Sequence, residues 1–444
     1  MSSDLLQTVA RFIRKHDMFA AGTHIVALSG GADSVALLLV MRALGYNVSA
    51  AHCHFGLRGA EADRDERFVS ALCAREGVAL HIARFDTSAY AAMRKMSVET
   101  AARTLRYAWL HRLREDTGAA DICVAHNMND GAETVLMNIV RGSGIHGLAG
   151  IRPVNGYVKR PLLCVKRADI ERFLAACGQD YVTDSTNADD NAARNKYRHH
   201  VLPLLEELNP QAIEHICAAS RRVAGAEQVY ASAIEAGKRR VLTHGTRGDS
   251  LSLAALRREP SPACLLYEVL KDYGFSSAQV EDIMERMDGE AGALFASADY
   301  DLAVDRDAIV IARRRDPVRP MTITEGGTYA LSDGTRLRVC ERAVDSDFVI
   351  PRDSGTACVD AATAPFPLIV RPAAPGDRFR PLGMKGTKLV SDYLTGRKRD
   401  ILTKRRQTVV TDATERIVWI VGEGIDDRCR ITARTRAAIL IYAE

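Results

Sequence analysis

Ser29-Gly30-Gly31-Ala32-Asp33-Ser34 has the composition of a turn that holds phosphate. Two glycines allow an anion close to the backbone, the hydroxyls of Ser29 and Ser34 add donors, and Asp33 can hold a divalent cation that bridges phosphates. A second group of reactive residues, His126-Asn127-Met128-Asn129-Asp130-Gly131-Ala132-Glu133-Thr134, offers an imidazole and two carboxylates. Asp130 and Glu133 are three apart at the start of an expected helix, so they share a face. Helix capping alone would also place acids there. Arg194 and Arg198 are spaced i,i+4 and read equally well as a phosphate contact or a solvated helical face. Between Arg371 and Arg406 stand eleven Lys or Arg against three Asp, an excess suited to a polyanion.

These groups need elements to position them. Ile25 to Leu28 predicts a short buried strand ahead of the glycine turn, and Val35 to Met41 an apolar helix behind it. Strand, glycine turn and helix together aim backbone N–H groups and the positive end of a helix dipole at an anion. Leu5 to Phe19 predicts an amphipathic helix, Asn47 to Cys53 a second strand, Ala60 to Glu76 a helix, Val78 to Arg84 a third strand, Glu99 to Glu115 a helix and Asp121 to Ala125 a fourth strand. Strands alternating with helices predict an α/β domain with a doubly wound parallel sheet, whose ligands sit at the carboxyl ends of the strands near the switch point. If strands one and four are neighbours, His126, Asp130 and Glu133 face the glycine turn across one crevice.

Further along, Gly142-Ser143-Gly144-Ile145-His146-Gly147 fits G-x-G-x-x-G, but it follows the helix from Ala132 to Val140 where the dinucleotide fingerprint needs a strand, so a loop is expected. Arg167 to Ala176 predicts a helix, and Asp184-Ser185-Thr186-Asn187 a loop. Pro210 to about Leu242 reads as a long helical connector. Leu251 to Met287 predicts a strand and two helices, and Leu294 to Ala312 one or two strands. After a linker near Asp316 to Pro320 come mostly short strands with glycine turns, plus one helix near Leu389 to Leu394. The expected division is a catalytic domain at 1–209, a connector with a small α+β middle domain at 210–316, and a β-rich C-terminal domain at 317–444.

The 444 residues are 47% apolar and 26% charged, as in globular proteins. No apolar run approaches the ~18 residues of a membrane span. The N-terminus lacks a basic region followed by an apolar core, so a cytoplasmic protein without a membrane partner is expected. Ten scattered cysteines without a Cys-x-x-Cys pair suggest reduced thiols and neither a zinc nor an iron–sulfur site; Cys53 and Cys123, in expected strands, read as core thiols.

The glycine turn is not a Walker A loop, since no Lys occurs between Lys15 and Lys95. It resembles the PP-loop, Ser-Gly-Gly-x-Asp-Ser, which implies ATP cleaved between its α and β phosphates. With Arg58-Gly59-Ala60-Glu61, Ala102-Arg103-xx-Arg106-Tyr107, His126-xxx-Asp130-xx-Glu133-Thr134, Arg194-Asn195-xx-Arg198, Pro375-Gly376-Asp377-Arg378-Phe379-Arg380-Pro381-Leu382-Gly383-Met384 and Asp426-Asp427-Arg428 added, nearly the whole chain resembles the tRNA(Ile)-lysidine synthetase (TilS) family. Asn127 and Asn129 depart from the His and Asp frequent there, and Gly131 from Gln.

The resemblance implies a two-step ligation. ATP adenylates the position-two carbonyl oxygen of the wobble cytidine in a CAU-anticodon tRNA(Ile), and the ε-amine of L-lysine then displaces AMP, leaving lysidine. It further implies nucleotide binding by Ser29, Gly30, Gly31, Ala32, Asp33, Ser34 and Arg106, Mg²⁺ at Asp33, and catalytic roles for Asp33, His126, Asp130 and Glu133. Substrate contacts would come from Asp130, Glu133, Arg194 and Arg198, and from Arg378, Arg380, Lys398, Arg399 and Arg405 in the basic block. A homodimer stays open. The rival expectations are another PP-loop enzyme, such as a tRNA thiolase, and a non-catalytic RNA-binding protein. Absent paired cysteines argue against a thiolase, and intact Ser29, Asp33, Asp130 and Glu133 against the non-catalytic reading.

Overall fold

The computed structural model describes residues 2–183, 193–246, 248–289 and 291–444. Two compact units divide the chain, Met1–Ala231 and Ser232–Glu444. In the first, strands β1 (Thr23–Ala27), β2 (Asn47–His54), β3 (Leu80–Arg84), β4 (Asp121–Cys123), β5 (Val154–Asn155) and β6 (Val158–Lys159) form one sheet in the order β3-β2-β1-β4-β6-β5. All neighbours run parallel except the β5–β6 hairpin at one edge. The helices are α1 (Ser2–Lys15), α2 (Ala32–Ala43), α3 (Ala60–Glu76), α4 (Thr87–Arg94), α5 (Val98–Thr117), α6 (Met128–Val140), α7 (Ile145–Leu148) and α8 (Arg167–Cys177).

The central strand shows why the sheet is covered on both faces. Alternate side chains of β1 leave in opposite directions: Val26 joins a core with Val9, Leu37, Leu38, Val69, Ile170 and Leu174 from α1, α2, α3 and α8, whereas Ile25 joins Leu110 and Leu113 of α5 on the other side. A strand buried on both faces reads as a continuous apolar run, which is how Ile25 to Leu28 appears in the sequence. The strand order reverses direction of growth at β1, so the crevice between the carboxyl ends of β1 and β4 is the switch point, the usual place for a ligand in such sheets.

Beyond β6 a short helix α9 (Ala193–Lys196) continues through a π-helical turn at Tyr197–Val201 into α10 (Leu202–Leu208), and a 30-residue helix α11 (Ala212–Val241) runs across the boundary of the two units. The expected elements up to α8 are present with ends shifted by a few residues. The helix α4 was not expected, and α7 occupies part of the expected loop at 142–147. Asp184, Ser185, Thr186 and Asn187 lie outside the described residues.

In the second unit an antiparallel sheet runs in the order Leu242–Gly245, Gly248–Ser252, Ala308–Arg313, Tyr300–Val304, Leu294–Ala296. It packs on helices Pro262–Leu270 and Ser277–Arg286 through Leu251, Leu266, Leu270, Ile283, Leu302 and Ile311. Three strands thus stand where one or two were expected between 294 and 312, because turns at 297–299 and 305–307 split a pattern that alternates throughout. The remainder is β-rich. Two antiparallel sheets, one of five strands and one of four, enclose Trp419, Val339, Val359, Val370, Val410, Ile439 and Ile441. The expected helix near 389–394 is Val390–Gly396, and a second short one follows at Ile401–Arg405.

Candidate active site

The turn between β1 and α2 is held in shape by the hydroxyls of Ser29 and Ser34, which also bond each other (3.1 Å). Ser34 Oγ accepts from the backbone N–H groups of Ser29 (3.1 Å) and Gly30 (3.2 Å) and donates to the Gly31 carbonyl (2.9 Å). Gly30 has φ +94°, a conformation that glycine adopts freely, and its carbonyl accepts from Val182 N (2.9 Å). The helix α2 starts after Gly31 with no side-chain cap, so its first-turn N–H groups are open to an anion.

Asp33, on the first turn of α2, is tied to the next element over. Asn127 Nδ2 donates to Asp33 Oδ1 (3.0 Å), and Arg167 at the start of α8 pairs with Asp33 Oδ2. Burial, supported by the nearby charge of Asp130, raises the Asp33 pKa above the ordinary carboxylate value, while Arg167 and Asn127 work against that rise. Asn127 also caps α6. Its side-chain oxygen accepts from Asp130 N (3.1 Å), and Asp130 Oδ2 accepts from Asn127 N (3.0 Å), which is a capping box. One amide therefore joins the phosphate turn to the acidic helix, and the expected adjacency of strands one and four is what makes the reach possible.

Asp130 and Glu133 do share a face of α6, and that face is occupied. Arg194 donates to Glu133 Oε2 (2.6 Å) and Asp130 Oδ1 (3.0 Å); Arg198 donates to Glu133 Oε1 (2.7 Å) and Asp130 Oδ1 (3.2 Å). The Glu133 side chain is 0% exposed, while the two arginine side chains are 39% and 38% exposed. Burial disfavours the Arg198 charge, but Glu133 and Asp130 outweigh it and hold its pKa above the ordinary value. Neither reading of Arg194 and Arg198 drawn from spacing anticipated this pairing. The signal was available in the complementary spacings, i,i+3 acids and i,i+4 bases, but sequence alone does not show that two such faces meet.

His126 follows β4 and keeps its ring neutral. Burial and the charges of Arg160, Arg194, Arg103 and Arg106 push its pKa down to about 3. Arg160 Nε donates to His126 Nδ1 (3.1 Å), so the ring proton resides on Nε2. His126, Ser29, Gly31, Ala32, Asp33, Ser34, Arg106, Arg167 and Arg198 all line one cleft of ≈ 360 Å³, walled on its apolar side by Ala27, Ala51, Cys53, Phe55, Leu110 and Val124. Arg160 and Arg167 were missed as site residues. Both lie near the carboxyl edge of the sheet, but their places depend on the order of the strands. Burial raises the Cys53 thiol to about 12 and moves that of Cys123 in the same direction, leaving both as protonated core groups. Among the described residues no group of three or more His, Cys, Asp or Glu is placed to hold a metal ion.

The basic block belongs to the second unit and sorts into two kinds of side chain. Arg371 pairs with Asp377 (2.8 Å), Arg406 with Asp301 (2.6 Å), and Arg399 with the buried carboxylate of Glu423 (2.6 Å). Arg378, Arg397, Lys398 and Arg405 are exposed, and Arg380 is half-buried. No described helix is long and apolar enough to cross a membrane.

A phosphate-cradling turn at the switch point of a doubly wound sheet, with a carboxylate on the following helix, defines the PP-loop class. Residues 1–205 match a family described as PP-loop domain, and residues 246–314 one described as TilS substrate binding domain. The chain is 42% identical over 98% of its length to the tRNA(Ile)-lysidine synthase of Bacteroides thetaiotaomicron, covering 98% of that protein. It is 40% identical to that of Parabacteroides distasonis over 98% of this chain and 99% of the relative, and 29% identical to that of Bacillus subtilis over 94% of this chain and 93% of the relative. The chain belongs to the tRNA(Ile)-lysidine synthase family.

The neutral His126 ring sets a measurable expectation. Its folded pKa of about 3 lies below the ordinary value of 6.5, so the unfolded chain binds the extra proton first. This histidine contributes to stability above pH 6.5, and that contribution declines as pH falls toward 3. Nitrogen NMR of the histidine rings, with His126→Gln to assign the signal, should show a neutral Nε2–H ring from pH 8 to pH 5. A midpoint above pH 5.5 would contradict the arginine-surrounded geometry.

Proposed function

We propose that this chain uses ATP to join free L-lysine to C2 of the wobble cytidine in a CAU-anticodon tRNA(Ile), releasing AMP and pyrophosphate and leaving lysidine, in the cytoplasm. The observation that carries this reading is one cleft lined by the phosphate turn, the neutral His126, Arg106, Arg167 and Arg198, in a chain of this family. Residues 1–209 would hold the chemistry, 210–316 a connector with the middle domain, and 317–444 a tRNA grip.

The first step places the cytidine carbonyl oxygen on the α-phosphate and expels pyrophosphate. The open N–H groups at the start of α2 receive the leaving charge. Asp33 lines the cleft beside them and fits an ion that arrives with phosphate, since Mg²⁺ takes few protein ligands alongside phosphate and water. When bound, Mg²⁺ neutralises charge on the pyrophosphate. In the second step a neutral lysine amine attacks C2 and AMP leaves. The His126 Nε2–H can donate to a phosphoryl oxygen, whereas its low basicity rules it out as an effective base near neutral pH. Asp130 and Glu133 are saturated by Arg194 and Arg198, so they hold both guanidiniums in place, that of Arg198 in the wall of the cleft. A lysine ammonium reaches either carboxylate by taking the place of a guanidinium.

Pyrophosphate release with cognate tRNA, ATP and lysine tests the reading. Wild-type protein should release it only when the tRNA is present, and Asp33→Ala should bind tRNA normally yet form no AMP. Near-normal AMP formation by that variant would remove the metal role of Asp33.

Glu133→Gln separates two duties of the carboxylates. Loosening both arginines should raise the apparent KM for ATP and for lysine together, each by about ten- to a hundredfold for the loss of a charge-assisted contact of roughly 1.5–3 kcal/mol. A rise for lysine alone would put the ammonium directly on the carboxylate.

For the C-terminal grip, Arg399→Ala would strand the buried Glu423 carboxylate, so the exposed Arg397, Lys398 and Arg405 are the informative positions. Their joint replacement by Ala should weaken tRNA binding and flatten the slope of log K against log salt by about 0.7–0.9 per lost phosphate contact, with little change in the chemistry at saturating tRNA. Unchanged affinity and slope would exclude these side chains from the grip.

A further inference from the structure

The guanidiniums at the β4 end of the cleft differ from the rest in having no carboxylate. Arg160 follows β6 and is 8% exposed. Its Nε donates to His126 Nδ1 (3.1 Å) and its Nη1 donates to the Arg152 carbonyl (2.8 Å), with the Tyr107 side chain nearby. Arg103 and Arg106 are three apart on α5, so both face the same way. Arg103 stacks over the Tyr107 ring with its carbon 5.1 Å from the ring centre, and Arg106 over Phe55 at 5.2 Å. None of the three has an ion-pair partner among the described residues, whereas Arg167 and Arg198, which line the same cleft, each have one.

A buried cation held only by neutral partners is expensive, and burial costs least when an anion completes it. Here the neutral partners do a second job: the aromatic faces and the Arg152 carbonyl fix the planes of the guanidiniums, leaving donors free. Planar, pre-oriented guanidiniums suit phosphoryl oxygens, which can accept two parallel hydrogen bonds from each. Arg106, Tyr107 and His126 line the cleft, which places the open side of the cluster there. The low basicity of His126 comes first from burial and then from the charges of Arg160, Arg194, Arg103 and Arg106.

We propose that Arg103, Arg106 and Arg160, with His126, form a second anion site, separate from the phosphate turn at Ser29 to Ser34, that takes a phosphoryl group. Naming its source rests on the ligase reading. One source is the α-phosphate of the nucleotide, which lies beyond the pyrophosphate as seen from the turn. The other is a backbone phosphodiester of the RNA next to the reacting base. Either would bring the negative charge that the cluster lacks, and either would place the reacting atoms at the mouth of β4.

The test uses the full chain with Arg103→Gln and Arg106→Gln combined, both side chains being accessible enough to change without emptying the core. Two probes distinguish the sources: α,β-methylene-ATP by calorimetry, and a fluorescent anticodon stem–loop RNA carrying CAU by anisotropy at several salt concentrations. A loss of about tenfold or more for the nucleotide assigns the α-phosphate; the same loss for the RNA, with a salt slope smaller by about 0.7 per contact, assigns the backbone. Partial recovery with Lys at both positions should follow in either case, which a merely structural role would not produce. If the double variant melts like wild type and binds both probes as wild type does, the second anion site is wrong. The ligase reading is judged separately by wild-type pyrophosphate release. A silent wild type whose double variant still loses one probe would remove the ligase reading and keep the site.

Discussion

Charge pairing at low exposure governs the first unit. Asp33, which lines the cleft, and Asp130 and Glu133 on α6 are each committed to a guanidinium from a different part of the chain, Arg167 from α8 and Arg194 and Arg198 from the α9–α10 stretch. Glu133 is fully buried, so only the loss of both Arg194 and Arg198 would leave its charge bare in a poor solvent. Elements that are remote in sequence are thereby held to one another by their ends, where the sheet itself offers only backbone hydrogen bonds.

That pairing needs a frame, and the parallel register of β1 on β4 supplies it. His24 lies beside Asp121 and Val26 beside Cys123, so two strands almost a hundred residues apart end side by side. The phosphate turn leaves one end and the capped helix α6 leaves the other. Asn127 spans the gap with a single side chain, its oxygen in the helix cap and its nitrogen on Asp33. Removing it would disturb a helix start and a carboxylate at once, so the two halves of the cleft are coupled through one residue.

Much of this was legible in the sequence. A buried parallel strand writes itself as an unbroken apolar run, and Ile25 to Leu28 is one; a glycine turn followed by an apolar helix is hard to mistake. Strand alternation placed the site at the carboxyl edge of the sheet, and the crevice followed only once β1 and β4 proved to be neighbours. The partners of charges were not legible. Arg160 and Arg167 carry no local pattern, because what selects them is proximity to His126 and Asp33 through a sheet order that no window of sequence contains. Arg194 and Arg198 had the right spacing but two destinations. The basic block looked uniform as a string, although Arg371, Arg399 and Arg406 are internal struts and Arg397, Lys398 and Arg405 are free to meet solvent. Composition counts charges and does not record which of them are already neutralised.

The Ser34 hydroxyl has a consequence for selectivity. By accepting from the Ser29 and Gly30 amides, it acts as a placeholder, so an anion that settles on those amides does so by exchange. The incoming group must replace neutral hydrogen bonds, worth about 0.5–1.5 kcal/mol each, with charge-assisted ones of about 1.5–3 kcal/mol. Singly charged ions such as chloride gain little from that trade, since they also lose their hydration. A polyphosphate, with several charged oxygens to offer along the turn, gains at every position. At the Ser29 and Gly30 amides an incoming anion would therefore compete with a hydroxyl built into the turn itself.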